Sequence, residues 1–201
     1  MSVMAENDGN RHLSVMAENN VIAQNCVQRT KMTISGNLLQ MVAMFEGFRS
    51  KSYQDVGGIW TIGYGSTLWD NMAVGPDMTV TEEDARIQLT YRLDALRSRI
   101  NTRLQGSHKM LAPAHQLDAL TSLADNIGTG ALYESELFRL YRLGSRDSKI
   151  ALEWYKWRHV NGVSVEGLEK RRIMESFLFM YGWDYAIAKR LRWPGEKGKV
   201  A

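Results

Sequence analysis

Residues 45–67 read FEGFRSKSYQDVGGIWTIGYGST, and this stretch decides how the rest of the chain is interpreted. Apolar residues recur at helical spacing just before it, which predicts a helix with Ser35 as its N-cap and Glu46 at its C-terminal end. Two strand-like runs, 51–55 and 59–62, flank a Gly-Gly pair and predict a β-hairpin. A helix that leads directly into a hairpin is therefore expected.

This arrangement brings two carboxylates and a hydroxyl together in a short segment. Glu46 lies at the helix end, Asp55 near the end of the first strand, and Thr61 in the second strand. Glycoside hydrolysis needs one carboxylic acid at the leaving oxygen and one ionised carboxylate on the other face of the sugar. A hydroxyl such as that of Thr61 can hold the attacking water against the carboxylate. Spacing alone does not distinguish this pair from two solvated surface carboxylates.

The complete motif is more specific, because it resembles the catalytic region of the phage-type lysozymes, glycoside hydrolase family 24. The pattern there is E-G-x-R-x-x-x-Y-x-D-x-x-G-x-x-T-I-G-x-G. Its fixed positions are matched in this chain by Glu46, Gly47, Arg49, Tyr53, Asp55, Gly58, Thr61, Ile62, Gly63 and Gly65. One departure is Ser66, since many relatives have His directly after the G-x-G. Within this family, the sequence most resembles the endolysins of lambdoid phages.

The resemblance implies a role for each catalytic candidate. Glu46 would be the general acid, Asp55 would direct the nucleophilic water, and Thr61 would help to place that water. The implied reaction is hydrolysis of the β-1,4 bond between N-acetylmuramic acid and N-acetylglucosamine in peptidoglycan, with inversion at the anomeric carbon. The implied biological outcome is lysis of the bacterial host. No metal and no organic cofactor is expected.

Four further residues are predicted to bind substrate: Trp60, Thr67, Asn126 and Ser135. Trp60 lies beside the proposed site, and aromatic faces stack on sugars. The resemblance suggests Asn126 and Ser135, because family members often carry Asn-x-Gly at the floor of the cleft, followed by a Ser. The alternative for Asn126 is a helix C-cap, which would by itself explain the Asn-Ile-Gly sequence.

The segment 157–175 extends the resemblance to the C-terminal lobe, where lambdoid endolysins carry W…G…GLxxRRxxE. The similarity then covers residues from about 35 to 180. In relatives an Arg of this lobe can approach the catalytic Glu, so Arg171 or Arg172 is a candidate here. The alternative is a solvated helix face on which Arg172 and Glu175 form a surface pair worth a few tenths of a kcal/mol.

The predicted fold class is α+β: a mostly helical, lysozyme-like fold with a small β-hairpin lobe and a larger helical lobe joined by a long helix. Thr81 and the acidic residues after it open the candidate linker helix, which runs to about Leu104. The other predicted elements are a third short strand at 68–74, a helix starting at Pro113, and helices at about 132–143, 147–158 and 166–181.

Composition and the resemblance together predict three regions. Residues 1–31 form a polar N-terminal arm in which SVMAEN occurs twice, a repeat too short for a solenoid. Residues 32–185 form the lysozyme-like catalytic domain, and 186–201 a basic C-terminal tail. A flexible arm is the preferred interpretation of the first region, and a docking peptide or second translation start is the alternative.

The overall composition excludes several classes of protein. The chain has 201 residues, 44% of them hydrophobic, which suits one domain with a real core. Its net charge of +3 lacks the strong basic clustering of a nucleic-acid binder, although it would suit an anionic polymer such as a cell wall. The single cysteine, Cys26, cannot form an intramolecular disulfide. The four histidines are not at metal-ligand spacing.

We therefore expect a monomer that acts on peptidoglycan glycan strands, binds no nucleic acid and spans no membrane. The N-terminus has no hydrophobic core of the signal-peptide type, which predicts synthesis in the host cytoplasm. Export to the wall would then depend on another factor, such as a holin, unless the protein docks to a virion.

Three alternatives to a lytic muramidase stay open at this stage. A lytic transglycosylase uses one acid and the substrate's own hydroxyl, and the presence of both Asp55 and Thr61 argues against it. An inactive wall-binding or virion structural module would typically have lost one of the three catalytic candidates. An active virion- or secretion-associated lysozyme would use residues 1–31 for docking.

Overall fold

A computed structural model describes residues 34–55, 57–108 and 111–190. The predicted arm at 1–31, the repeat within it, Cys26 and positions 191–201 of the predicted tail lie outside these residues. The described elements are, in chain order, α1 (Gly36–Glu46), β1 (Arg49–Gln54), β2 (Trp60–Gly63), β3 (Leu68–Trp69), β4 (Met72–Ala73), α2 (Glu82–His108), α3 (Ala114–Ile127), α4 (Thr129–Glu134), α5 (Glu136–Arg142), α6 (Ser148–Tyr155), a 3₁₀ turn (Lys156–Arg158), β5 (His159–Val160), β6 (Val163–Ser164), α7 (Glu166–Tyr181) and α8 (Trp183–Arg190). The predicted fold class is confirmed.

Helix α1 begins and ends as the sequence predicts. Ser35 Oγ accepts the N–H of Leu38 at 3.1 Å, which satisfies one of the free donors at the N-terminus. The helix ends because Gly47 adopts φ +68°, a conformation that a side chain disfavours. Glu46 is consequently held at the last turn of a helix whose other face is buried.

The predicted hairpin is also confirmed. Strands β1 and β2 pair antiparallel, with Tyr53 opposite Thr61 and Gln54 opposite Trp60. The register is irregular between Arg49 and Tyr53. The hairpin therefore presents the end of β1 and the start of β2 side by side, directly after α1.

The prediction of one strand at 68–74 is wrong. Strands β3 and β4 form a second small hairpin, which reverses at Asp70 and Asn71 with φ of +49° and +62°. Asp and Asn tolerate the left-handed region better than other residues with a side chain, so this pair makes a turn inside a run that otherwise reads as extended.

Helix α2 is the predicted long helix. Thr81 Oγ1 accepts the N–H of Asp84 at 3.1 Å and caps its N-terminus. It extends past the predicted end to His108. Leu89, Leu93 and Ile100 are fully buried on one side of it, against α1 and α3.

The prediction of a single helix at 132–143 is wrong as well. The chain breaks at Ser135, which is extended, and helices α4 and α5 lie on either side of it. The Ser135 hydroxyl accepts the N–H of Phe138 at 3.1 Å and donates to the Leu132 carbonyl at 2.6 Å. A serine side chain that bonds to nearby backbone groups competes with the helix, which explains the break.

The C-terminal part contains two elements that the sequence did not indicate. The hairpin of β5 and β6 has strands of two residues each, too short for a periodic signal. Helix α8 crosses position 185, where we placed the end of the catalytic domain, and Ala186 is buried in the core. The helix predicted at 147–158 is α-helical to Tyr155 and then tightens into the 3₁₀ turn.

The helical part is organised around α3, which packs against α2 and α7. Its apolar residues join an aromatic cluster in which the Phe179 ring lies 5.1 Å from that of Tyr141 and 5.8 Å from that of Trp154. Trp154 is fully buried in this cluster. No helix in the described parts of the chain is long and apolar enough to cross a membrane.

The free energy of unfolding is expected to depend on pH through Tyr141, a residue of this core. Its hydroxyl donates to Gln116 Oε1 at 2.8 Å, and burial raises its pKa to about 12, with Arg146 opposing. An unfolded Tyr has a pKa of about 10. Because the folded value is the higher one, this stabilisation is complete below about pH 10 and is lost as the pH rises towards 12.

We expect the free energy of unfolding to fall by about 2 kcal/mol between pH 10 and pH 12 through this residue. Denaturant titrations across that range measure the effect. Tyr141→Phe should remove most of this pH dependence, whereas Tyr181→Phe, at an exposed position, should leave it unchanged. An unaltered slope in Tyr141→Phe would contradict the assignment.

Candidate active site

Glu46 meets a buried arginine that comes from the far end of the chain. Its Oε1 accepts a hydrogen bond from Arg171 Nη1 at 2.5 Å, across 125 positions of sequence. The Glu46 side chain is 23% exposed and that of Arg171 is 3% exposed. Of the two arginines that the sequence left open, Arg171 is the one that reaches Glu46.

The Arg171 guanidinium is a junction of several groups. Nε donates to Glu175 Oε1 at 3.1 Å, Nη2 donates to the Ser122 carbonyl at 3.0 Å, and Nη2 lies 3.7 Å from Asp125 Oδ2. Burial alone would lower the pKa of Arg171, but the carboxylates of Glu175, Glu46 and Asp125 together raise it above its ordinary value. The residue therefore stays positively charged beside Glu46.

Arg172 and Glu175 are fully buried, so the alternative of a solvated surface pair is wrong. Arg172 Nε lies 2.9 Å from Glu175 Oε2, and Arg172 Nη2 donates to Glu175 Oε1 at 3.0 Å. Ser122 Oγ donates to the same oxygen at 2.6 Å. Glu175 is thus the anion that balances two neighbouring buried guanidinium groups.

Asp55 is fixed by the hairpin turn that follows it. Its Oδ1 accepts the N–H groups of Gly57 and Ile59, both at 2.9 Å. Its Oδ2 accepts no hydrogen bond from the described residues. One oxygen therefore holds the carboxylate in place, and the other can take a proton from a water molecule.

Thr61 lies on the neighbouring strand and is 4% exposed. Its Oγ1 donates to the Ile59 carbonyl at 3.1 Å. Because the hydroxyl proton is used in this bond, the lone pairs of Oγ1 are what Thr61 can offer to a water molecule. The Ile59 backbone contacts both Asp55 and Thr61 and so fixes them relative to each other.

The structure explains why the second glycine of the G-x-G motif, Gly65, is needed. A Cβ at this position would lie 3.1 Å from Glu46 Oε2, and the residue has φ +74°. The backbone of the turn can therefore pack against the carboxylate only when residue 65 is glycine. The space beside Glu46 Oε2, the oxygen that does not bond to Arg171, is therefore open only because residue 65 has no side chain.

We expect Gly65→Ala to lower kcat at least 10-fold, because the added methyl displaces Glu46 Oε2 and an error of about 1 Å in such a group can cost 10²-fold. Assays of wall hydrolysis, together with thermal unfolding, measure both effects. The matched control is Gly144→Ala, with φ +88° and open space at the Cβ position. It should lose similar stability but keep its activity, and equal activities of the two variants would count against the role of Gly65.

The predicted substrate-binding residues lie on different elements of the structure. Trp60 is half-buried at the start of β2, Thr67 is exposed after the G-x-G turn, and Asn126 is exposed in the last turn of α3. Ser135 is buried and caps α5. No hydrogen bond in the described residues joins any of them to Glu46, Asp55 or Thr61, so their contact with substrate stays a prediction.

Sequence reasoning missed Ser122 and Asp125, which complete the surroundings of Arg171. A signal for them was present: they are polar, three residues apart, and therefore lie on one face of the helix, beside the apolar Leu123 and Ala124. Among the described residues, no group of three or more His, Cys, Asp or Glu side chains could hold a metal ion.

Comparison with known proteins agrees with this fold. The chain is 35% identical over 152 residues to an endolysin of Acyrthosiphon pisum secondary endosymbiont phage 1, covering 74% of this chain and 98% of that protein. It is 33% identical over 168 residues to an endolysin of Bacillus phage B103, covering 81% of this chain but 60% of that protein. The solved endolysin from Escherichia coli O157:H7 phage FAHEc1 superposes with a TM-score of 0.66 at 29% identity, covering 76% of this chain and 96% of that one.

These similarities establish the class of protein: a mostly helical α+β protein with the lysozyme fold of phage endolysins. The model of the phage lysozyme family matches residues 43–175, which include the helix end, the hairpin and the Arg171 junction. The chain belongs to the phage lysozyme family, whose enzymes are muramidases.

Proposed function

We propose that this protein hydrolyses the β-1,4 bond between N-acetylmuramic acid and N-acetylglucosamine in bacterial peptidoglycan. The observation that carries the proposal is the position of Glu46, whose Oε1 accepts a hydrogen bond from Arg171 and whose Oε2 lies beside Gly65. Asp55 and Thr61 stand on the hairpin that follows directly. Family membership supports the same reaction.

In the proposed mechanism Glu46 is the general acid. Since Oε1 accepts from Arg171, Oε2 is the oxygen that carries the proton to the leaving glycosidic oxygen. The bond between that oxygen and the anomeric carbon then breaks. A water molecule that donates a proton to Asp55 Oδ2 forms the new bond from the opposite face, which inverts the anomeric carbon.

Thr61 would position this water through its lone pairs. We expect Thr61→Val, which keeps the shape but removes the oxygen, to lower kcat by about 10- to 100-fold, the range for a misplaced nucleophile. Thr61→Ser keeps the hydroxyl and should retain most activity. Steady-state rates on purified peptidoglycan give the comparison, and equal rates for Val and Ser would remove Thr61 from the mechanism.

The products of the wild-type reaction test the proposal itself. Clearing of purified peptidoglycan with free reducing ends of α configuration at the first turnover would support an inverting muramidase. Anhydro-muramic ends would indicate a lytic transglycosylase instead. Binding to the wall without clearing would indicate an inactive wall-binding module and would overturn the proposal.

We further propose that the wall of the bacterial host is where this enzyme acts, as the name endolysin of its relatives suggests. The sequence placed the catalytic domain at 32–185, which contains the matched segment 43–175, and we propose that it continues past 185 through α8, whose Ala186 is buried in the core. Comparing virion or membrane association with and without residues 1–31 tests whether the chain is exported alone or docks to a particle. Association that depends on residues 1–31 would favour the docked form.

A further inference from the structure

Arg92 in α2 contacts the loop beside Glu46 with two of its nitrogens. Its Nη2 donates to the Tyr64 carbonyl at 2.8 Å, and its Nη1 donates to Ser66 Oγ at 3.1 Å. Between these two acceptors lies Gly65, where an added Cβ would come within 3.1 Å of Glu46 Oε2. Arg92 therefore holds the 64–66 turn on both sides of the residue that lies beside the acid.

The same guanidinium reaches helix α3. Arg92 Nε donates to Asp125 Oδ1 at 2.7 Å, and Nη2 donates to Asp125 Oδ2 at 3.3 Å. The Asp125 side chain is 1% exposed, and its Oδ2 also lies 3.7 Å from Arg171 Nη2. Asp125 is shared between two arginines, and the second of these holds Glu46 Oε1.

We propose that Arg92 is a positioning residue for Glu46, because it ties the 64–66 turn to Asp125 and thereby controls what surrounds both oxygens of the acid. This inference rests on the proposed function, in which Glu46 is the general acid. The turn fixes how close Gly65 lies to Oε2, and Asp125 lies 3.7 Å from the Arg171 guanidinium that donates to Oε1. Arg92 touches neither oxygen itself and acts through these two groups.

The identity of residue 66 fits this role. Ser66 stands where many relatives of the motif carry His, and it is 8% exposed. In this chain its hydroxyl oxygen is one of the acceptors of Arg92. Ser66 thus takes part, through Arg92, in the hydrogen bonds that connect the 64–66 turn to helices α2 and α3.

Arginine is required for this geometry and lysine would not replace it. The guanidinium is planar and presents N–H donors in several fixed directions, so it can bond to Tyr64, Ser66 and Asp125 at the same time. An ammonium group is a single point that keeps the charge but cannot span the three acceptors. Arg92→Lys therefore preserves the charge next to Asp125 while it loosens the turn.

The chain offers a matched control in a second ion pair between the same two helices. Arg97 Nε lies 3.0 Å from Asp118 Oδ1, with side-chain exposures of 16% and 2%, against 28% and 1% for Arg92 and Asp125. The other partners of Asp118 are Ser35 and Trp183, neither of which contacts Glu46 or the 64–66 turn. Arg97→Lys tests the structural cost of such a change without reaching the acid.

The experiment compares kcat, KM and thermal stability of wild type, Arg92→Lys and Arg97→Lys on purified peptidoglycan. We expect both variants to lose similar thermal stability. Arg92→Lys should lower kcat by about 10- to 100-fold with KM nearly unchanged, since a misplaced acid affects the chemical step. Arg97→Lys should keep kcat within about 2-fold of wild type. Equal kcat values for the two variants, or a loss confined to KM, would overturn the proposal.

Two further measurements keep the test decisive. Ser66→Ala removes one acceptor and is the mildest variant, for which we expect a smaller fall in kcat of about 3-fold. The exchange rate of the Ser66 amide, which donates to the Ile62 carbonyl at 2.9 Å, reports on the turn without any turnover. The exchange rate should rise in Arg92→Lys and not in Arg97→Lys. An unchanged rate in Arg92→Lys would refute the claim that Arg92 holds the 64–66 turn. Inactive wild-type protein would instead refute the proposed function alone.

Discussion

Glu46→Gln is expected to lower kcat at least 100-fold, because the amide cannot supply the proton that the leaving oxygen needs. The substitution keeps the size of the side chain, and its amide oxygen can still accept from Arg171. The variant should therefore fold normally, since Arg171 also retains Glu175 and Asp125 as anionic neighbours. Reducing ends released from purified peptidoglycan measure the loss, and thermal unfolding verifies the fold.

The matched control is Glu136→Gln, which also removes one carboxylate from a pair with arginine. Glu136 lies 2.6 Å from Arg139 on the exposed side of α5. Wild-type activity is expected there, because an exposed pair contributes little and lies outside the site. A Glu46→Gln protein that retains more than about a tenth of the wild-type rate would assign the acid role to another group, since general acids contribute about 10²-fold or more.

The hairpin and its three catalytic candidates could be predicted because local sequence determines them. The cap at Ser35, the glycine after Glu46 and the Gly-Gly turn each specify a backbone conformation within a few residues. The motif adds side chains at fixed distances along that backbone. The two-residue strands escaped prediction because they are too short for a periodic signal. The break at Ser135 escaped because apolar residues continue at helical spacing on both sides of it.

The surroundings of Glu46 could not be predicted in the same way. Arg171 reaches it across 125 positions, and Arg92 reaches Asp125 across 33, so tertiary packing alone brings these charges together. The sequence of α7 does not show which of its faces is buried, because charged residues occur on more than one face of the helix. Burial decides between the two, and it is a property of the assembled helices.

Glu175→Gln is expected to be the most destabilising of the proposed substitutions. It removes the negative charge that Arg171 and Arg172 share, and the Arg172 side chain is fully buried. Loss of one member of a buried ion pair typically costs about 3–5 kcal/mol, because the remaining charge is not compensated. For a chain of this size that corresponds to a fall in Tm of about 6–20 °C.

Two further variants separate this effect from an ordinary loss of charge on the helix. Glu166→Gln in the same helix removes an exposed partner of Lys170 and should change stability by less than about 0.5 kcal/mol. Adding Arg172→Met to Glu175→Gln removes the uncompensated charge and should recover part of the loss, since apolar replacement of buried ion pairs is often neutral. Denaturant unfolding of the four proteins gives the comparison. If Glu175→Gln were no more destabilising than Glu166→Gln, the two arginines would have to be solvated, and the buried junction that holds Arg171 against Glu46 would not exist in solution.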